Sequence, residues 1–187
     1  MESENLAASR IDSQGHLLVV MGVSGSGKST IAQALGAALG LNIADGDDLH
    51  STQSVSKMQA GMALDDADRW PWLDRIADYL VAPHTQAPHA YGKVVACSAL
   101  KRAYRDRIRS HVPGVRFIFL DGDNELIRLR MALRQGHFMQ LELLDSQLRT
   151  LERPSLDEKD VLRIETGLPV EQLIAQVKTM LSQRQAA

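Results

Sequence analysis

The segment GVSGSGKS, residues 22–29, matches the pattern G-x-x-x-x-G-K-[ST] at every fixed position. Glycine lets the backbone take positive φ values and approach an anion without a Cβ, so successive N–H groups can surround phosphate oxygens. The segment therefore predicts a phosphate-binding loop for a nucleotide; the alternative is a flexible loop that only caps a helix. The residues expected to bind the nucleotide are Gly22, Val23, Ser24, Gly25, Ser26, Gly27, Lys28, Ser29 and Thr30.

Two side chains of this loop have specific expected roles. Lys28 is expected to reach the β- and γ-phosphates, which makes it a catalytic candidate, and Ser29 is expected to place its hydroxyl on Mg²⁺. The helix predicted to follow adds the positive end of its dipole. The pattern thus predicts ATP and Mg²⁺ as the cofactors of a phosphate-transferring or phosphate-sensing protein.

Two acids, Asp45 and Asp47, flank Gly46 directly after a short apolar segment. Phosphoryl transfer needs a carboxylate to orient or deprotonate the acceptor hydroxyl, and Mg²⁺ to offset negative charge. The two acids can divide these tasks, one facing the water shell of the metal and the other facing the hydroxyl. The alternative is a surface turn with solvated acids, which is common for Asp-Gly sequences.

Several cations are candidates for contacts to substrate. Arg69 lies in DDADRWPW, where its planar guanidinium is suited to a substrate carboxylate, or else to an ion pair with one of the neighbouring acids. Lys101 and Arg105 follow a predicted strand and either add positive charge to the pocket or form a solvated helix face. Arg130 and Arg134 are four residues apart on one face of a predicted helix that ends near a glycine. Such a helix fits a lid that covers phosphates, with a charged solvent face as the alternative.

The histidines and tryptophans give weaker signals. His50 and His137 each adjoin a candidate site loop, and a hydrogen bond to ligand is expected for both, although a lone histidine is more often structural. Trp70 and Trp72 are expected to pack at the start of a helix that Pro71 opens.

The elements that must position these residues alternate between strand and helix. Apolar segments predict five strands: LLVVM, residues 42–44, KVVACS, VRFIFL and DVLRIET. Helical spacing predicts helices after the glycine-rich loop, from Pro71, near residues 102–110, over 124–135 and 139–151, and from Pro169. This order predicts an α/β fold, a three-layer P-loop NTPase fold in which a parallel sheet has helices on both faces and carries a helical lid. Ligands of such sheets bind at the carboxyl ends of the strands, where the glycine loop and both acids fall.

Length and composition limit the remaining possibilities. The chain has 187 residues, 44% of them hydrophobic, and a net charge of −2, which gives no basic field for nucleic acid. The single cysteine, Cys97, excludes an internal disulfide and fits a reducing, cytoplasmic location. No apolar run approaches a membrane span, and residues 1–15 are expected to form a disordered tail rather than a secretory signal. Residues 16–187 are expected to form one kinase domain, with a hinged lid at about 124–152.

Several motifs occur together and in order: GVSGSGKST, DGDDLH, KMQAG, DADRWPWL, CSALKRAYRD, FIFLDGD, RQGHF and DSQLRTLERP. With these motifs the chain resembles the gluconokinases, small P-loop kinases of the shikimate-kinase-like group. The resemblance implies ATP-dependent phosphorylation of D-gluconate at its 6-hydroxyl, giving 6-phosphogluconate and ADP. It also implies a homodimer.

The resemblance assigns roles to individual residues. It places Asp45 near Mg²⁺ and gives Asp47 the acceptor hydroxyl. Arg69 becomes the main partner of the substrate carboxylate, while Lys101 and Arg105 are secondary candidates. It also assigns Arg130 and Arg134 to the lid. Two positions depart from the family pattern, because Ser54 stands where asparagine is frequent and Ala63 where proline is common.

Two other functions compete with this interpretation. The first is a kinase for another small acceptor, such as shikimate or another sugar acid. The second is a nucleotide-dependent switch, but the motifs D-x-x-G and N-K-x-D that a GTPase carries do not occur after Ser29.

Overall fold

The computed structural model describes residues 15–83, 91–132 and 137–183, with the side chains of residues 137–141 left out. Within this part of the chain five parallel strands form one sheet with the spatial order β2-β3-β1-β4-β5. The strands are β1 (His16–Met21), β2 (Asn42–Asp45), β3 (Gly92–Ala96), β4 (Arg116–Asp121) and β5 (Val161–Glu165). All five strands that the sequence predicts are confirmed, as is the α/β class.

Helices connect the strands and cover both faces of the sheet. They are α1 (Lys28–Leu39), α2 (Thr52–Gln59), α3 (Asp66–Val81), α4 (Arg102–His111), α5 (Asn124–Ala132), α6 (His137–Thr150) and α7 (Val170–Gln183). A short 3₁₀ helix, Gly46–Leu49, follows β2 directly. Among the described residues, no helix has both the length and the apolar character needed to cross a membrane.

The register of the sheet brings three strand ends to one edge. Ala96 of β3 pairs with Val20 of β1 on one side and with Asp45 of β2 on the other. Because all strands are parallel, the segments that follow β1, β2 and β3 leave the sheet at the same edge. Three segments are therefore neighbours, as the sequence predicts: the phosphate loop, the acidic turn at residues 45–47, and the segment before α4.

Alternate residues of the strands face two separate apolar cores. One core packs Val19 and Phe117 against α3 and α4, including Trp72 and Ile108. The other core packs the opposite face of the sheet against α1 and α7. Its buried residues include Leu18, Val20, Leu35, Ile118, Leu173 and Val177. The two layers of helices hold the sheet rigidly, which fixes the loops at its carboxyl edge.

The predicted start of α3 is wrong by about one turn. Pro71 does not open this helix but lies inside it, because Asp65 and Asp68 form a capping box that starts the helix at Asp66. The Asp65 carboxylate accepts from the Asp68 N–H at 2.9 Å, and the Asp68 carboxylate accepts from the Asp65 N–H at 3.2 Å. The earlier start places Arg69 and Trp70 within the first turns of a rigid helix rather than in a loop.

A third, smaller core joins the phosphate loop to α5 and α6. Val23 is 3% exposed and packs with Leu100, Ile127, Met131 and Leu144. The described parts of the segment predicted to be a lid therefore pack directly against the glycine-rich loop. The predicted tail at residues 1–15 lies outside the described residues apart from Gly15, and so does Arg134.

Candidate active site

The glycine-rich loop has the backbone geometry that its sequence predicts. Gly25 and Gly27 have φ values of +79° and +96°, which side chains with a Cβ rarely adopt. The Gly22 N–H donates to the Ser98 carbonyl at 3.3 Å and ties the loop to the end of β3. A Cβ placed on Gly27 would meet no atom within 4 Å, so the space beside this residue is open.

The start of α1 lies beside the same space. Gly27 is the N-cap residue and has no side chain with which to cap the helix, and the first turn carries no acid. The N–H groups of a first helical turn have no partner within the helix and attract anions. Open space, left-handed glycines and the helix start together fit the phosphates of a nucleotide.

Ser29 and Asp45 connect the phosphate loop to the acidic turn. The Ser29 hydroxyl donates to Asp45 Oδ2 at 2.7 Å, and Asp45 Oδ1 accepts from the Asp47 backbone N–H at 3.1 Å. Lys28 Nζ donates to the Val23 carbonyl at 3.0 Å and so lies over the same loop. The structure thus brings the loop and the acidic turn together at one edge of the sheet.

The hydroxyl of Ser29 and the carboxylate of Asp45 fit Mg²⁺. Magnesium takes oxygen ligands and is commonly held by one or two protein oxygens together with substrate phosphates and water. Among the described residues, no group of three or more His, Cys, Asp or Glu side chains could hold a metal ion. Ser29 and Asp45 therefore provide the donor set that a magnesium–nucleotide complex needs.

Trp72 fixes the acidic turn against the sheet. Its indole Nε1 donates to the Gly46 carbonyl at 2.6 Å, and its side chain is 2% exposed. Gly46 packs so closely on β3 that an added Cβ would lie 2.6 Å from the Ala96 carbonyl oxygen. These contacts hold the turn in place while the Asp47 side chain stays exposed at the rim.

Charges from three separate parts of the chain act on Cys97, directly after β3. Burial raises the pKa of the Cys97 thiol to about 12, and the charges of Lys28, Asp47 and Arg69 also act on that thiol. A lysine of the phosphate loop, an acid of the turn and an arginine of α3 therefore lie around one strand end. The neutral, buried thiol itself is inert.

His50 lies beside the acidic turn and stacks on Trp72, with ring centroids 4.4 Å apart and an interplanar angle of 11°. Burial lowers the pKa of His50 below its ordinary value of 6.5, although the Asp47 carboxylate opposes this effect. Nδ1 is buried and has no hydrogen-bond partner among the described residues. The ring is therefore a neutral group held rigidly next to Asp47.

Tyr104 organises two of the predicted cations. Its ring lies 5.8 Å from the Arg69 guanidinium carbon and 5.3 Å from Lys101 Nζ, while its hydroxyl donates to Asp66. Lys101 also forms an ion pair with Asp66 at 2.8 Å. Arg69 differs, because Nε donates to the Leu64 carbonyl at 3.3 Å and no carboxylate pairs with it within the described part of the chain. Arg69 is therefore the better placed of the two for an incoming carboxylate.

The substrate-binding role predicted for Arg105 does not fit the structure. Its side chain is 1% exposed and forms two 2.7 Å hydrogen bonds with the carboxylate of Glu158. The remaining donor, Nη1, contacts the carbonyls of Ala99, Leu100 and Glu152. All three guanidinium nitrogens are used inside the protein, so Arg105 fastens α4 to the segment that follows α6.

The structure describes only some of the other predicted site residues. Arg130 lies in α5 and is partly exposed, whereas Arg134 and the side chain of His137 lie outside the described residues. Arg128, on the same helix, pairs with Asp145 of α6 and so links the two helices. Ser54, at one of the positions that depart from the family pattern, is 3% exposed, with its hydroxyl 2.9 Å from that of Ser51.

Three residues of the site are missed by the sequence interpretation. Trp72 and Tyr104 position acids and cations through contacts that spacing does not reveal, and both belong to the motifs DADRWPWL and CSALKRAYRD. The third is Gln147, whose Oε1 accepts from the Ser24 backbone N–H at 2.6 Å. Ser24 and Gln147 are 123 residues apart, and a glutamine within a helix gives no local signal for such a contact.

A parallel sheet whose first strand leads into a phosphate loop, with acids ending the second strand, defines a P-loop kinase. The family model described as AAA domain matches residues 17–154. The thermosensitive gluconokinase of Escherichia coli (strain K12) is 44% identical over 151 residues, covering 81% of this chain and 79% of its own. With these relatives at this coverage, the chain belongs to the gluconokinase family.

Solved structures agree with this assignment. A gluconokinase from Sinorhizobium meliloti 1021 has a TM-score of 0.76 and 38% identity, covering 91% of this chain and 98% of its own. An unliganded sugar kinase from Janibacter sp. HTCC2649 has a TM-score of 0.79 and 45% identity, covering 90% and 95%. Fold and family membership therefore rest on sequence and structure together.

Proposed function

We propose that the protein transfers the γ-phosphoryl group of ATP to the 6-hydroxyl of D-gluconate, forming 6-phospho-D-gluconate and ADP. The observation that carries this proposal is the Ser29–Asp45 hydrogen bond, which places the acidic turn directly beside the phosphate loop. The gluconokinase relatives support gluconate as the acceptor.

Backbone N–H groups of residues 22–30 hold the phosphates, and Lys28 neutralises charge on them as the terminal group moves. Asp47 orients the 6-hydroxyl of gluconate and accepts its proton. The hydroxyl oxygen then forms a bond to the γ-phosphorus as the bond to the β,γ-bridging oxygen breaks, and that oxygen leaves on ADP. Ser29 and Asp45 would hold Mg²⁺, which would supply further charge neutralisation on the phosphates.

Arg69 binds the carboxylate of gluconate at the end of the molecule away from the reacting hydroxyl. This role is supported by its place beside Tyr104 and by the absence of a paired carboxylate within the described residues. Lys101 and the neutral His50 are proposed to contact gluconate hydroxyls, and His137 to contact the ligand from α6. Arg130 and Arg134 are proposed to cover the phosphates as part of a lid.

The assembly and location form a further part of the proposal. Resemblance to other gluconokinases supports a homodimer, which light scattering of the purified protein measures directly. The use of ATP supports a place in the cytoplasm, and neither nucleic acid nor a membrane has a proposed role.

A panel of acceptors, with turnover coupled to ADP release, tests the function. Gluconate is expected to give the largest kcat/KM among sugar acids, shikimate and nucleoside monophosphates. A larger value for shikimate or for another sugar acid would reject gluconate while leaving the kinase chemistry intact. Tight ATP binding without turnover on any acceptor would instead favour a nucleotide-dependent switch.

A further inference from the structure

Gln147 of α6 places a carboxamide directly on the phosphate loop. Its Oε1 accepts a hydrogen bond from the Ser24 backbone N–H at 2.6 Å, across 123 residues of sequence. A backbone N–H can pair only with the oxygen of a carboxamide, which fixes the orientation of the group. Its two Nε2 hydrogens have no acceptor among the described residues, and they remain available beside the loop.

The position of Gln147 on the helix shows why this side chain is held there. Leu144 and Leu148 of α6, and Leu151 directly after it, lie at helical spacing and pack in the small core that contains Val23. Leu144 is completely buried in this core. Gln147 stands between Leu144 and Leu151 along the chain, and the hydrogen bond from Ser24 holds its carboxamide at the loop.

Gln147 and Lys28 meet the same peptide group from its two ends. The Val23 carbonyl accepts from Lys28 Nζ at 3.0 Å, while the N–H of the same peptide, on Ser24, donates to Gln147. Lys28 is the residue expected to reach the terminal phosphates. Both side chains therefore contact the first residues of the phosphate loop, the segment in which the terminal phosphate of a bound triphosphate is expected to lie.

We propose that Gln147 is a binding residue for the terminal phosphate of ATP, with Oε1 anchored by Ser24 and Nε2 donating to a γ-phosphate oxygen. This proposal rests on the proposed function in that ATP is the bound nucleotide. An N–H donor to a phosphate oxygen gives a charge-assisted hydrogen bond, which is stronger than one between neutral groups. The contact distinguishes ATP from ADP, because ADP lacks the γ-phosphate.

Gln147→Glu separates a phosphate contact from a simple structural tether. A carboxylate still accepts from the Ser24 N–H, but it lacks the Nε2 donors and repels the γ-phosphate. We expect the Kd of a non-hydrolysable ATP analogue to rise about tenfold or more, and the Kd of ADP to change less than about threefold. With gluconate present, kcat is expected to fall at least tenfold. Gln176→Glu, on an exposed face of α7, is the matched control for the added charge.

Calorimetry without acceptor gives the decisive ratio of the two Kd values. An unchanged ratio in Gln147→Glu would overturn the proposal and leave Gln147 as a tether between α6 and the loop. In Gln147→Ala, weaker binding of the analogue supports the proposal, whereas tighter binding overturns it by showing that Oε1 competes with phosphate for Ser24. The ratio is independent of the acceptor, so a failure of gluconate as substrate leaves this test intact. If the wild-type protein binds neither nucleotide, this proposal and the proposed function fall together.

Discussion

The Ser29 hydroxyl donates to Asp45 Oδ2 at 2.7 Å, which joins the helix after the phosphate loop to the end of the second strand. These residues are 16 positions apart and belong to different strand–helix units. The contact brings the candidate magnesium ligands together, and Asp47 follows two residues later at the rim. Nucleotide phosphates and an acceptor hydroxyl can therefore meet within one small region of the sheet edge.

Asp47→Asn is expected to lower kcat by about 10²- to 10⁴-fold, because asparagine cannot accept the proton of the acceptor hydroxyl. Affinity for ATP should change little, since Asp47 faces the acceptor. Steady-state kinetics with gluconate, together with calorimetric titration of an ATP analogue, measures both effects. Asp48→Asn is the control, because Asp48 is also exposed and lies next in the chain. Near-normal turnover of Asp47→Asn would remove this residue from the catalytic role.

Arg69→Ala is expected to raise the KM for gluconate by about 10- to 100-fold, in line with the loss of about 1.5–3 kcal/mol from a hydrogen bond to a charged group. The value of kcat should change much less, because the substrate carboxylate lies away from the reacting hydroxyl. The six-carbon alditol, in which a hydroxymethyl group replaces the carboxylate, gives a second measurement. Its turnover should be insensitive to the substitution.

Arg107→Ala is the control for Arg69, because Arg107 pairs with Asp74 on the exposed surface of α4 and α3. An unchanged gluconate KM in Arg69→Ala would assign the carboxylate to another cation. A parallel loss with the alditol would indicate instead that Arg69 supports the fold of this region.

The sequence predicts those parts of the site that local chemistry determines. Gly25 and Gly27 take the left-handed conformations that the motif requires, and the parallel sheet brings Asp45 beside Ser29. Arg105 shows where such reasoning ends. Its spacing after the third strand equally allows a pocket cation and a buried ion pair, and the choice depends on Glu158, which lies 53 residues away.

The predicted start of α3 is wrong for a related reason. Proline is favoured in a first turn, but the Asp65–Asp68 capping box is a stronger start signal five residues earlier. Gln147 was missed because a glutamine in a helix has no local signature. Its partner, Ser24, lies in the opposite half of the chain and becomes adjacent only when α6 packs on Val23.

Trp72→Phe is expected to lower kcat about three- to tenfold while the protein stays folded. Phenylalanine keeps the stacking surface under His50 but loses the 2.6 Å hydrogen bond to the Gly46 carbonyl. An unsatisfied buried carbonyl costs about 1–3 kcal/mol, and the turn that carries Asp47 should shift to find a partner. Kinetics and urea denaturation measure the two effects.

Trp70→Phe is the matched control, because Trp70 packs edge-on against Tyr104 and leaves the turn untouched. An equal loss of kcat in both variants would count against a specific role for Trp72.

Arg105→Met is expected to destabilise the protein by about 3–5 kcal/mol. It removes two hydrogen bonds from the buried Glu158 carboxylate, which keeps only Arg109 as a cationic partner, and it leaves the carbonyls that Nη1 contacts without this donor. Arg107→Met removes a comparable ion pair from the exposed surface, where solvent screens the charges, and should destabilise the protein much less. Urea denaturation of both variants gives the comparison. At a temperature where Arg105→Met remains folded, its gluconate KM should equal that of the wild type, whereas a large increase would restore the substrate role for Arg105.

The pH dependence of stability gives an independent test of the same ion pair. Burial acts to raise the pKa of Glu158, but the hydrogen bonds from Arg105 and Arg109 outweigh it and hold the pKa at about 2, below the ordinary 4.5. A carboxyl with a lowered pKa in the folded state stabilises the protein above its ordinary pKa, and this contribution is lost as the pH falls from about 4.5 to 2. Glu158→Gln should be less stable at pH 7, and its stability should fall less steeply across that range. Urea denaturation at a series of pH values measures both slopes; parallel curves for the two proteins would show that Glu158 does not titrate with the folding transition.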